Sequence, residues 1–292
     1  MALLGAAAGL TPGDAGSSWG EMRPPIEPRR TGTLEHRTLD ESSGVAVSRR
    51  HPGILWTLND SGNPPWIFAT DTLGRHHGRF VVKGAENEDW EAIALGPCGS
   101  RDCLYIADTG DNGQRRDEVR LYRLPEPPLP TRARITRTAE ALTVRYPGGA
   151  RDVEAAFVSR DGTVHLISKG WNRGVRVFRV PPGGWKRGKT ILAQDGGELP
   201  IEAGGLGALV TDAALSPSGD RVAIRTYLGI HLFALTPRGT LRPLGAACNA
   251  AGLQLLGEGI AWLDDRELVL TSEGGLGTRG SIVVLGCDGH TS

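Results

Sequence analysis

Long apolar runs are missing from this chain. None approaches the roughly 18 residues that a membrane-spanning helix needs, so no transmembrane segment is expected. Net charge is missing as well: 33 basic residues balance 33 acidic ones, which leaves no field to draw in nucleic acid or an anionic membrane. There is no G-x-S-x-G elbow leading into a helix and no phosphate-binding P-loop. With four cysteines, no second close Cys or His pair completes a zinc pattern. The apolar opening "MALLGAAAGL" lacks the Lys or Arg that starts a signal peptide. Residues 1–30 therefore read as a disordered tail or as the remnant of an export signal whose start lies upstream, and residues 31–292 as a single domain.

Glycine and proline are abundant. Forty-two glycines and 19 prolines are too many for a helical protein, and the glycines have no collagen-like period. The four cysteines allow three pairings. Cys98 and Cys103 bracket a tight loop, and Cys248 and Cys287 flank the last expected strands, so local pairing 98–103 and 248–287 is the simplest solution; four buried thiols are the alternative. Two disulfides would place the protein in an oxidising compartment, secreted or periplasmic.

The strongest signal is a repeat. "ESSGVAVS" at 41, "DWEAIAL" at 89, "RDVEAAFV" at 151, "VTDAALSP" at 210 and "GEGIAWL" at 257 each put a polar residue ahead of a small-apolar alternation. Aligned on that residue, the shared position holds Ser43, Glu91, Glu154, Asp212 and Glu258, roughly 46 to 63 residues apart. Glu41, Asp89 and Asp152 stand two residues earlier in the first three units. A β-branched or aromatic strand follows each: "GILWTLND", "CLYIADTGDN", "TVHLISKG", "RVAIRTYLG", "ELVLTSEGG". Their ends form a second series, Asn59, Asp108, Lys169, Tyr227 and Glu273.

Third strands are evident, and weaker fourth ones read as "GRFVVKG", "ALTVRYPGG", "KTILAQ" and "TLRPLG". Five units of about four strands predict an all-β β-propeller with five four-stranded blades. A sixth blade would have to hide in residues 170–210. The last unit lacks a fourth strand, which "GTLEHRTL" before the first unit can supply, closing the ring.

The repeat, the acid-led inner strands and "ADTGDN" resemble exported bacterial propellers of the TolB-like and SMP-30/gluconolactonase-like superfamily, including esterase-like phytase relatives. The resemblance spans most of residues 31–287. It implies a divalent metal at the central channel, although Lys169 and Tyr227 interrupt a simple ring of acids.

In an antiparallel meander the start of the innermost strand and the end of the second lie at one face. Both series therefore converge on one channel mouth. Bare carboxylates there would raise one another's pKa or recruit a cation. A hard cation, calcium or else magnesium, fits Glu91, Glu154, Asp212, Glu258, Asn59 and Asp108, since neither series contains histidine. Ion pairing with Lys169 and Arg225, or turn capping by the acids, competes with a metal.

The expected chemistry is hydrolysis of an ester, lactone or phosphoester. Asp212 or Glu154 would act as general base, and Lys169 and Arg225 would hold an anionic group. A non-enzymatic ligand- or protein-binding propeller with a structural ion-pair rim is the competing expectation, in either case as a monomer. His165, mid-strand, and the tryptophans read as packing residues, Trp171 mainly so, with stacking on a ligand at the mouth as its alternative.

Overall fold

The structure is a computed structural model that describes residues 26–130, 134–171, 173–185, 188–202, 205–275 and 277–287. Of the expected tail at 1–30, residues 1–25 lie outside the described residues, while Arg29 and Arg30 belong to a strand instead. Twenty-one strands form five sheets. Blade 1 is β2 (Ser42–Val47), β3 (Ile54–Asn59), β4 (Trp66–Asp71) and β5 (His76–Val81). Blade 2 is β6 (Trp90–Cys98), β7 (Arg101–Asp108), β8 (Val119–Pro125) and β9 (Glu140–Arg145). Blade 3 is β10 (Val153–Val158), β11 (Val164–Ser168), β12 (Arg176–Val180) and β14 (Gln194–Glu198). Blade 4 is β15 (Val210–Leu215), β16 (Arg221–Thr226), β17 (Gly229–Leu235) and β18 (Leu241–Asn249). Blade 5 is β19 (Gly257–Trp262), β20 (Glu267–Ser272), β21 (Ser281–Gly286) and, from the other end of the chain, β1 (Arg29–Thr33).

The inner strands β2, β6, β10, β15 and β19 contact one another in a closed cycle around the axis. Five apolar clusters fill the five gaps between blades. Hence the alternation seen in the sequence: each inner strand is crowded by both neighbouring blades, and only small residues fit. Gly44 and Gly259 mark the limit. A Cβ on Gly44 would strike the backbone of Ala92 and Ile93, and one on Gly259 would strike Thr271 and Val45.

Ring closure uses the expected end of the chain but a different register. Only Gly32 and Thr33 of "GTLEHRTL" belong to the closing strand; "RRTGT" pairs antiparallel with β21, and the rest forms a loop held by Leu34 N–H to Gly280 O (2.9 Å). "KTILAQ" also departs from expectation. Its central residues form β13 (Thr190–Leu192), which runs parallel to β9 on the outer edge of blade 2, while "QDGGE" supplies the fourth strand of blade 3. No sixth blade occupies the described part of residues 170–210. Both expected disulfides are present, Cys98–Cys103 and Cys248–Cys287, with Cα separations of 5.8 and 5.9 Å inside the range a disulfide requires.

Candidate functional site at the channel mouth

Every inner strand begins with a bulge. The regular ladder is interrupted between Ser42 and Val45, Trp90 and Ala92, Val153 and Ala155, Val210 and Asp212, and Gly257 and Ile260. A bulge turns its extra residue out of the pleat, and here those residues form the first ring: Ser43, Glu91, Glu154, Thr211 and Glu258. Two hydroxyls in it tie neighbouring blades together, Ser43 Oγ donating to Glu91 O and Thr211 Oγ1 to Glu258 O, both at 2.9 Å.

The fourth member is thus Thr211, and Asp212 lies one residue further down the strand, opposite Arg225. Asp212 is fully buried on the channel axis. It accepts the N–H of Ile260 (2.9 Å), of Ala213 (2.8 Å) and of Val45 (3.4 Å), spanning the inner strands of blades 4, 5 and 1. Burial pushes its carboxyl well above the usual range, against those N–H groups and Arg225. Arg225, equally buried, is spent on Gly259 O, Thr271 O and Gln254 Oε1. Burial lowers its pKa to about 10. The structure therefore takes both Asp212 and Arg225 out of the mouth, where the sequence alone places them.

The second ring keeps Lys169, Tyr227 and Glu273 but is shifted by one residue in blades 1 and 2. Ladder partners of Ser42 and Trp90 are Asn59 and Asp108, and the equivalent partners in blades 3, 4 and 5 are Ser168, Thr226 and Ser272. The residue after each is the one at the rim: Asp60, Thr109, Lys169, Tyr227 and Glu273. Asp60, Thr109, Lys169 and Glu273 each donate their backbone N–H to the residue just ahead of the inner strand, to Glu41, Asp89, Asp152 and Leu256. Asn59 is turned into the neighbouring loop, where its amide donates to Thr38 O and Asn63 Oδ1. Asp108 is buried against Arg116 (3.0 Å) and accepts the N–H of Asp89. Neither joins the carboxylates at the rim.

Asp60, Asp89 and Glu91 do converge: one carboxylate oxygen from each lies within 4.8 Å of the others. Gly110 makes room for two of them, since a Cβ there would collide with Glu91 Oε1 and with the Asp89 carboxylate. Burial raises the Glu91 carboxyl well above its ordinary value, with Glu154, Asp60 and Asp89 adding to the shift. Burial and Asp60 push Asp89 up to about 7.

Across the mouth, Lys169 Nζ lies 2.7 Å from Glu154 and 3.7 Å from Asp152. Burial works against that ammonium, but Glu154 and Asp152 outweigh it and hold its pKa above the ordinary value. Glu154 is still raised by burial, with Asp152 and Glu258 opposing the pull of Lys169. Glu258 accepts from the Tyr227 hydroxyl at 3.0 Å, and burial with Glu273 pushes it up to about 8. Glu273 rises to about 7 through burial, Asp60 and Glu41.

Asp60 and Asp89 stand outside the two aligned series but close to them, Asp60 directly after Asn59 in the "NDSG" turn and Asp89 two residues ahead of Glu91. Trp171, assigned mainly to packing, is instead half-exposed beside Lys169. His165 is buried and stacks on Phe157 with ring centroids 4.4 Å apart.

These features define a five-bladed β-propeller with an acid-lined mouth at one end of its channel. No protein-family model matches the chain, and no curated protein sequence matches it. Among solved structures it is similar to the PQQ-bound aldose sugar dehydrogenase of Streptomyces coelicolor, with a TM-score of 0.54 at 14% identity, covering 90% of this chain and 99% of that one. An oxidoreductase (glucose dehydrogenase) of Thermus thermophilus gives 0.51 at 12% identity, over 89% and 99% of the two chains. A gluconolactonase of Xanthomonas campestris gives 0.49 at 15%, over 91% and 99%. At these identities the likeness, carried by the first two structures, is one of fold alone.

Proposed function

We propose that the mouth binds a divalent cation, calcium above magnesium, between Asp60, Asp89 and Glu91, and hydrolyses an ester, lactone or phosphoester there. The observation that carries this reading is the convergence of three carboxylate oxygens within 4.8 Å, a spacing compatible with shared coordination at about 2.3–2.6 Å. The room left by Gly110 lets two of those carboxylates converge from one strand start. Oxygen-only donors suit a hard cation. When bound, such a cation polarises the oxygen under attack and acidifies a water molecule.

The chain's own groups supply the rest. Lys169 is the partly exposed cation at the rim, suited to an anionic oxygen of the substrate. Glu258, whose pKa of about 8 lies near neutrality, can take up and return a proton, with the Tyr227 hydroxyl fixing its orientation. Glu154, charge-paired with Lys169, holds that ammonium in place. Export of the protein is part of the proposal and rests on the two disulfides.

The tight Lys169–Glu154 pair favours a second reading, a non-enzymatic propeller whose rim is neutralised by ion pairs. Metal analysis of the purified chain, combined with a panel of chromogenic esters, lactones and phosphoesters, separates the two. Bound metal with EDTA-sensitive turnover supports the hydrolase. Metal without turnover leaves a binding module, and the absence of both metal and turnover leaves the ion-paired rim.

A further inference from the structure

The inner strands continue past Asp212 to the opposite face, and there the channel changes character. Val47, Leu95, Val158, Leu215, Trp262 and Leu263 surround a cavity of about 410 Å³. That volume lies within the range of small-molecule sites, roughly 300–1,000 Å³, which are typically apolar with a few polar groups fixing orientation. Asp212, buried and bonded to the inner strands of three blades, stands on its strand between Thr211 of the acidic mouth and Ala213 of the cavity wall.

The rim of the chamber is basic on one side. Arg49 lines it, and Arg160 lines an adjoining recess that shares Arg49, Val158, Leu215 and Pro217 with it. Arg101 stands in the next recess beside Arg49 and Arg50. Arg49 pairs with Asp102 at 2.9 Å, but both partners are well exposed, and such a pair exchanges readily. Arg160 donates to a backbone carbonyl, Pro217 O, at 3.0 Å. Among the described residues no carboxylate is paired with Arg101 or Arg160.

We propose that this chamber binds a monomeric amphiphile consisting of a medium-length apolar chain and a carboxylate head, the chain within the ring of Val47, Leu95, Val158 and Leu215 and the head on Arg49 and Arg160. The two parts of the site act together. Apolar surface is removed from water along the walls, while the planar guanidinium forks donate to a carboxylate in two-point contact. A cationic amphiphile meets the same walls but the wrong rim.

The test is calorimetric titration of decanoate below its micelle concentration, in EDTA, with decyltrimethylammonium and phosphatidylglycerol vesicles as comparisons. Saturable 1:1 binding of decanoate is expected, together with a rise in melting temperature through ligand linkage. Leu215→Glu or Val47→Trp should weaken binding at least tenfold. Arg160→Glu, an exposed substitution that leaves the walls intact, should weaken it several-fold and should keep the test valid if the wall variants fail to fold. The response of the acidic mouth to calcium should be unchanged in Arg160→Glu. Non-saturable uptake, equal affinity for decyltrimethylammonium, binding only to vesicles, or decanoate affinity unaltered by Arg160→Glu would each overturn the proposal.

Discussion

Gly110 and Glu91 show how little separates a ring of carboxylates from a ligand site. The two acids of blade 2 approach Asp60 because nothing projects from Gly110 between them. Gly110→Ala should leave the fold intact and cut calcium affinity at least tenfold, read as loss of the calcium-induced rise in melting temperature; an undiminished rise would exclude this site. Lys169→Met acts differently. It strands Glu154 and Asp152 without their partner. Breaking a buried pair costs about 3–5 kcal/mol, and partial exposure of Lys169 puts the expected loss nearer the lower end, as a shift in urea midpoint at constant slope. The loss should shrink at low pH, where Glu154 holds its own proton. The slip between Thr211 and Asp212 belongs to the same scale. An acid ahead of "AA" matches "VEAA" by composition, but the bulge precedes it by one residue, and a one-residue shift moves a side chain to the other face.

Strands were legible because their signal is local. Period-two alternation, β-branched content and glycine turns recur in phase five times, and five blades follow. Ladder offsets are not legible, since a bulge has no fixed residue code, and so the sequence puts Asn59 rather than its neighbour Asp60 among the metal ligands. Outer strands were the least legible. "TIL" and "QDGGE" compete for one edge, and only tertiary pairing decides that the first crosses to blade 2. The closing strand offers a test at this scale. Deleting residues 29–33 exposes the edge of β21 and opens the ring. A substantially lower melting temperature and aggregation by light scattering are expected, whereas an unchanged melting curve would show that closure contributes nothing.

For the molecule as a whole, the acids of the mouth set a pH dependence. Glu258 and Glu273 have folded-state values of about 8 and 7, above the ordinary value of 4.5. At these two sites the folded protein holds more protons than the unfolded chain between roughly pH 4.5 and 8, so the stability they contribute falls as pH rises through that window. Histidines such as His76 and His165, lowered by desolvation to about 4, act in the opposite sense below about pH 6.5. In EDTA the melting temperature should therefore decline above that, from about pH 6.5 to 8, and saturating calcium should flatten the decline; a rise over that range would contradict the raised values. The axial carboxylate has a consequence of another kind. The amides of Val45 and Ile260 sit on the free edge of inner strands, where no strand pairs with them and deuterium would ordinarily enter within seconds to minutes. Asp212 holds both on one oxygen, so these two edge amides should exchange as slowly as those of the blade interiors, and Asp212→Ala, which removes the acceptor, should release them while the blade interiors keep their protection. The inner strands of three blades are thereby fastened to one another at a single carboxylate, so the ring resists opening at its centre as well as at its closing blade.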